Sequence, residues 1–163
     1  NMFNPNRRTN PDNYFICVSR VSKEKGLDDF CKLKGNKVLV GDGPYLKELK
    51  EIYPDVNFVG VKTGIELSEL ISNASVFVFP SKTDTFGIVI LEAIACGTPV
   101  ASYEEPGPKE VISLGINGFY GKNLEENILK CLKINREDVF ASSKKWTWEI
   151  STNQFLESLL TNN

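Results

Sequence analysis

Pro80 to Ser102 reads PSKTDTFGIVILEAIACGTPVAS, and it sets a single carboxylate, Glu92, inside an otherwise apolar helical run. From Phe86 to Cys96 the residues are Phe, Gly, Ile, Val, Ile, Leu, Glu, Ala, Ile, Ala and Cys. A helix that is apolar all round is a buried helix, and a buried Glu is almost never found unpaired. Two readings of Glu92 follow. It pairs with a basic side chain or backbone amides inside the fold, or it lines a cleft and accepts hydrogen bonds from ligand hydroxyls. Asp84, just ahead of the helix, has a similar pair of readings, as a cap for the free N–H groups of the first turn or as a ligand contact. Gly87 leaves its amide open to close approach. Gly97 and Pro99 then stop the helix.

Outward from this run the chain alternates strands and helices. Strands are expected at Tyr14–Ser19, Lys37–Gly41, Val56–Gly60, Ser75–Phe79, Pro99–Ser102 and Asn117–Tyr120. Helices are expected at Leu27–Leu33, Tyr45–Ile52 (opened by Pro44), Ile65–Asn73, Thr85–Cys96 and Pro108–Leu114, then at about 124–133, 137–144 and 147–160. Near-continuous apolar strands between helices imply an α/β fold, a doubly wound, Rossmann-like parallel sheet of about six strands with helices on both faces. Such sheets take their ligands at the carboxyl ends of the strands, near the switch in strand order, and a helix N-terminus that follows a strand suits anions.

Composition narrows the function. The chain has 163 residues, the length of one domain with a real core, and 19 Lys+Arg against 21 Asp+Glu, with no basic block to suggest nucleic acid or a lipid surface. It has no histidine, which removes Ser-His-Asp and Cys-His hydrolases as self-contained mechanisms. Cysteines 17, 31, 96 and 131 have no CxxC spacing and read as buried thiols of a reducing compartment, with neither disulfide nor zinc. No apolar run approaches the roughly 20 residues of a membrane span. The polar start 1–13, NMFNPNRRTNPDN, is unlike a signal peptide and reads as an interdomain linker, leaving 14–163 as the domain. A cytoplasmic protein is expected.

The turns after successive strands should converge on one crevice. The first, Arg20 to Gly26 (RVSKEKG), offers Arg20 and Lys25 past a strand end, a guanidinium for bidentate contact and an ammonium as a point charge, both suited to a diphosphate; they also read as solvated loop charges. The second, Gly41-Asp42-Gly43-Pro44, lacks the third glycine of a dinucleotide fingerprint, since Leu46 stands there; it reads as a tight turn or as a donor contact. The third is Val59-Gly60-Val61-Lys62.

The run from Pro80 to Ser102 resembles the signature of the C-terminal, donor-binding domain of retaining GT-B glycosyltransferases of the "glycosyl transferases group 1" type. That family separates two acidic residues by seven others. Asp84 and Glu92 keep the spacing, with Asp where the family usually has Glu. The resemblance covers about Tyr14 to Leu160 and implies one half of a GT-B enzyme with the donor domain whole and the N-terminal acceptor domain absent. It implies that Arg20 and Lys25 hold the diphosphate of a nucleotide sugar, that Asp84 binds hydroxyls of the transferred sugar, and that Glu92 binds the ribose. Backbone amides at Phe86, Gly87 and Ile88 would face the sugar and distal phosphate. Gly41 and Gly43 would approach the donor, and Gly60 with Val61 would hold the base, UDP, GDP and ADP being equally compatible. No cofactor or metal is implied, and the chain has no D-x-D pair of the kind metal-dependent sugar transferases commonly use. The acceptor would be a glycan or lipid-linked, met with help from the missing domain, which could also attach the enzyme to the inner face of a membrane.

Lesser matches are Pro106–Ile112 (PGPKEVI), which resembles a family loop and helix, and Trp146 and Trp148, which resemble the last helix but equally suit aromatic packing. An exposed apolar cleft face is expected where the second domain belongs. The alternatives are a non-catalytic nucleotide-sugar binding module and half of a UDP-sugar epimerase of GT-B layout. An NAD-dependent enzyme lacks its glycine fingerprint.

Overall fold

The computed structural model describes residues 13–83 and 87–146. Within them β1 (Phe15–Val18), β2 (Lys37–Val40), β3 (Asn57–Gly60), β4 (Val76–Phe79), β5 (Val100–Ser102) and β6 (Gly118–Tyr120) form one parallel sheet in the order β3-β2-β1-β4-β5-β6. The expected α/β class and doubly wound sheet are therefore observed. The chain starts in the middle of the sheet, builds outward through β2 and β3, then returns to place β4 on the other side of β1, with Phe15 opposite Val76 and Ile16 opposite Phe77. The switch in strand order thus lies between β1 and β4.

Side-chain alternation along the strands assigns each residue to one of two cores. Ile16, Val38, Val40, Phe77, Phe79 and Val100 face the layer of α3 (Gly64–Asn73), α4 (Ile88–Ala95) and α5 (Pro106–Val111). Cys17, Leu39, Val76, Val78 and Ala101 face α1 (Leu27–Cys31), α2 (Leu46–Ile52) and α6 (Leu124–Cys131). Both faces are covered, which explains why the central strands read as unbroken apolar runs. Each fully buried Leu, Ile or Phe contributes about 1.5–3 kcal/mol, so the two layers hold the sheet from both sides.

Several boundaries differ from expectation. α4 begins at Ile88, with Gly87 as its N-cap, rather than at Thr85. α5 starts at Pro106 and ends at Val111, because Ile112 turns to extended backbone and Leu114 bridges to Gly118. The expected helix 137–144 runs over 136–146 without the break anticipated at 145–146, and the helix expected at 147–160 lies outside the described residues, as does Trp148. Trp146 is half-buried against the α3–α4–α5 core, in line with the packing reading. The four cysteines are buried and free, and burial raises their thiol pKa values, to about 12 for Cys31, Cys96 and Cys131 and further for Cys17.

At the amino ends of the strands two basic groups are tied down. Lys37, 5% exposed, donates its ammonium to Leu33 O (2.6 Å) and Asp55 Oδ2 (2.7 Å). Arg136 donates to Ala74 O (2.7 Å), Ser72 O (2.6 Å) and Thr98 Oγ1 (2.9 Å), while Thr98 donates to Ile71 O (2.7 Å). Arg136 therefore satisfies carbonyls at the end of α3, groups that a helix cannot satisfy internally.

Candidate functional site

The loops after β1, β2 and β4 meet at the carboxyl ends of the strands. Val21 N donates to Asp42 O (2.9 Å), Tyr45 N to Val21 O (3.1 Å), and Gly41 N to Gly60 O (2.9 Å), so the turns after β1, β2 and β3 are joined through backbone. This contact requires glycine twice. A Cβ on Gly41, whose φ is 137°, would stand 1.9 Å from Ser19 O, and one on Gly43 would stand 2.3 Å from Val21 O. Backbone that close leaves no room for a side chain. Gly41 and Gly43 therefore have a reason inside the fold, the tight-turn reading. Gly60 is different: a Cβ there would meet nothing within 4 Å, and the following Val61 is exposed.

In the β1 loop Arg20 is exposed and precedes a 3-10 turn at Lys23–Lys25, whose last residue, Lys25, is half-buried. Glu24 accepts a hydrogen bond from Ser22 Oγ (2.6 Å). That bond, and then the positive charges of Arg20 and Lys25, hold its carboxyl below the usual range. Both cations thus stand near Glu24 in this loop. Its partner across the switch point, the β4 loop, carries Pro80 to Thr83. Asp84 and Phe86 lie outside the described residues, so the capping and ligand readings of Asp84 stay as they were. Gly87 has no left-handed backbone; a Cβ on it would press on Ile90 and Phe79, so its smallness serves packing.

α4 is not buried all round. Ile90, Leu91, Ala93 and Ile94 are buried, but Ile88 is 64% exposed, and Val89, Glu92 and Ala95 are half-buried. Ile88, Glu92 and Ala95 are spaced i, i+4, i+7 and so share one open stripe. Glu92 has no hydrogen-bond or ion-pair partner among the described residues, and burial alone raises its pKa. The reading in which it pairs inside the fold finds no partner for it among the described residues. Val61 and Ile65 beyond β3 are, like Ile88, large apolar groups open to solvent after strand ends.

Two concavities flank these elements. One of about 360 Å³ lies at the amino ends, against Pro99, Ile134 and Arg136. The other, of about 280 Å³, lies between α1 and α6, against Asp29, Tyr103 and Asn123. Neither is lined by Arg20, Lys25 or Glu92. Among the described residues no group of three His, Cys, Asp or Glu side chains could hold a metal ion, and no helix is long and apolar enough to cross a membrane.

The family model of the glycosyl transferases group 1 matches residues 1–133. The chain belongs to that family. It is a GT-B, group 1 glycosyltransferase domain. A GDP-mannose-dependent alpha-mannosyltransferase of Corynebacterium glutamicum is 38% identical over 63% of this chain and 26% of its own length. An alpha-monoglucosyldiacylglycerol synthase of Streptococcus pneumoniae is 30% identical over 91% of this chain and 40% of its own. Among solved structures, Anabaena Alr3699/HepE in complex with UDP superposes with a TM-score of 0.71 at 22% identity, over 95% of this chain and 50% of that one. The glycosyltransferase domain thus spans half or less of each of these proteins.

Sequence reasoning missed a second set of residues beside the crevice. Lys82, Asp29 and Tyr103 interact across three segments, and at the opposite end Lys37 is buried and Arg136 half-buried. A lysine opening an apolar strand, as in KVLV, is the kind of signal that could have marked Lys37. No local pattern marks the others, because their partners stand tens of residues away.

Proposed function

We propose that this is the donor-binding domain of a retaining glycosyltransferase, which moves a hexose from a nucleoside diphosphate sugar to a glycan or lipid-linked acceptor without a metal ion. The observation that carries the reading is Glu92, a half-buried carboxylate on the open stripe of α4 with no partner among the described residues. Two vicinal ribose hydroxyls are donors of the right number and spacing for its two oxygens, and a charged acceptor makes such bonds strong. Arg20 and Lys25 would hold the diphosphate and stabilise the charge that develops on it as the sugar departs. Asp84 would take hydroxyls of the sugar. The amides of Phe86, Gly87 and Ile88, at the start of α4, would face the distal phosphate, where the helix end carries roughly half a positive charge. Gly60 and Val61 would receive the base.

The names of the relatives and neighbours support this class of donor, GDP-mannose in one and UDP in another, and leave the base to be measured. The rest of the protein would supply the acceptor side and any membrane attachment, with the reaction on the cytoplasmic side. The test is calorimetric titration of the chain with UDP, GDP and ADP without added metal, repeated on Glu92→Gln. Binding of one nucleoside diphosphate, lost in the variant while its Tm holds, is the expected result. A variant that binds as the wild type does would end the ribose role.

A further inference from the structure

We infer that Lys82, Asp29 and Tyr103 form a latch that positions the β4 loop against the β1 loop; the inference rests on the donor-site reading, which puts those two loops on one diphosphate. Lys82 Nζ stands 3.5 Å from Asp29 Oδ2 and 4.2 Å from the centre of the Tyr103 ring, and Tyr103 Oη donates to the same Asp29 oxygen at 2.8 Å. The three groups come from α1, from the β4 loop and from the residue after β5. Each touches the other two, so none can move without disturbing both contacts.

The latch is one stitch of a seam. Immediately before it, Pro80 O lies so near Gly26 that a Cβ there would be 2.6 Å away. Immediately after it, Thr83 Oγ1 donates to Glu24 O (3.4 Å), and Thr83 N donates to Ser81 Oγ (3.4 Å). Glu24 and Gly26 belong to the loop that carries Arg20 and Lys25. The β4 loop is therefore fastened to the β1 loop over Pro80 to Thr83, and Lys82 extends the fastening to α1. Lys82 and Asp29 are both substantially exposed, so their ion pair alone is weak. The ring beneath the ammonium and the shared carboxylate oxygen add direction. Burial of the ring and the bond to Asp29 raise the Tyr103 hydroxyl pKa to about 12, which keeps it a donor at any ordinary pH.

Such a tie matters most to a ligand group that must touch both loops. A diphosphate held by Arg20 and Lys25 on one side and the start of α4 on the other senses their separation, since small misplacements of binding groups are costly. A nucleoside without phosphates does not sense it. Lys82 and Tyr103 act through the loops, not on the donor.

The test uses the 163-residue chain and four variants, Lys82→Met, Lys82→Arg, Tyr103→Leu and the Lys82→Met/Tyr103→Leu double. Each is titrated with the nucleoside diphosphate that the wild type binds and with the matching nucleoside, and hydrogen exchange is followed in residues 20–26. Lys82→Met and Tyr103→Leu should each weaken the diphosphate roughly 5-fold, the worth of one exposed charge contact with its ring. The nucleoside should be unaffected, the double variant should be no worse than either single one, and Lys82→Arg should restore binding. Amides of residues 20–26 should exchange faster in Lys82→Met. Equal losses for both ligands, additive losses in the double variant, or unchanged exchange in residues 20–26 would overturn the latch. If the wild type binds diphosphate through Glu92 while Lys82→Met binds equally well, the latch fails and the donor reading stands. If the wild type shows no Glu92-dependent binding, the donor reading fails and takes the positioning role with it.

Discussion

At the amino ends of the strands, Lys37 places its ammonium on Leu33 O and Asp55, and Arg136 spends its guanidinium on Ser72, Ala74 and Thr98. At the carboxyl ends Glu92 is half-buried with no partner among the described residues, and Arg20 is exposed. A charge taken out of water costs free energy unless hydrogen bonds replace its hydration. Lys37 and Arg136 meet that requirement at the amino ends, Arg20 meets it through water, and half-buried Glu92 finds no partner for it among the described residues. The difference sets charges that hold the fold apart from Glu92, and it does so by partners among the described residues rather than by residue type.

Breaking the satisfied end should produce the largest effect. Arg136→Ala removes three hydrogen bonds and leaves the Ser72 and Ala74 carbonyls without their donor, a loss of about 3 kcal/mol in denaturant unfolding, with nucleotide affinity of the folded chain unchanged. Glu92→Gln should behave in the opposite way. Its stability should stay within about 0.5 kcal/mol of wild type or rise, while nucleoside diphosphate affinity falls roughly 30-fold, about 2 kcal/mol. A stability loss as large as that of Arg136→Ala would erase the contrast between the two ends. Lys37→Met should cost about 1.5 kcal/mol, less than Arg136→Ala, because a buried ammonium is replaced by an apolar group of similar length, and only the Leu33 carbonyl is stranded. Asp55 is exposed and regains water.

The smallest effect lies in pH. Burial raises the Glu92 pKa from its ordinary 4.5, so the folded chain binds that proton more tightly than the unfolded chain. The corresponding stability is present below pH 4.5 and is lost as pH rises through the raised value. Asp55 has the opposite sign. The hydrogen bond from Lys37 lowers its pKa from 3.8, so its contribution is present above that value and is lost on acidification. Thermal unfolding of wild type and Glu92→Gln should therefore coincide at low pH and separate above about 4.5, with Gln the more stable. Parallel curves would mean that Glu92 is hydrated like a surface carboxylate.

Much of the fold was legible because its strands are short apolar blocks set off by turn residues, as in SVFVF before PSK and KVLV before GDG. Buried parallel strands advertise themselves in this way. The start of α4 was less legible: TDTFG offers capping candidates at Thr83, Asp84 and Thr85 without choosing among them, and apolar content alone cannot say which stripe of a helix faces outward. The apolar run implied a helix buried all round, whereas Ile88, Glu92 and Ala95 lie on an open stripe. Arg20 and Lys25 stood out by their place after a strand. Lys82, Asp29 and Tyr103 did not, since an ordinary lysine, aspartate and tyrosine become a cluster only when three loops are folded together.

The adjacency of β1 and β4 has a consequence for the order in which the molecule can assemble. Phe15 pairs with Val76, so the seam between them closes only after the intervening α1, β2, α2, β3 and α3 have been traversed. Contacts so distant along the chain are costly to nucleate. A nascent chain that has made β1, β2 and β3 already owns the loop with Arg20 and Lys25, yet has nothing to set opposite it. A partially folded form in which β4 has not docked would keep half the sheet but lack the loop that faces Arg20 and Lys25.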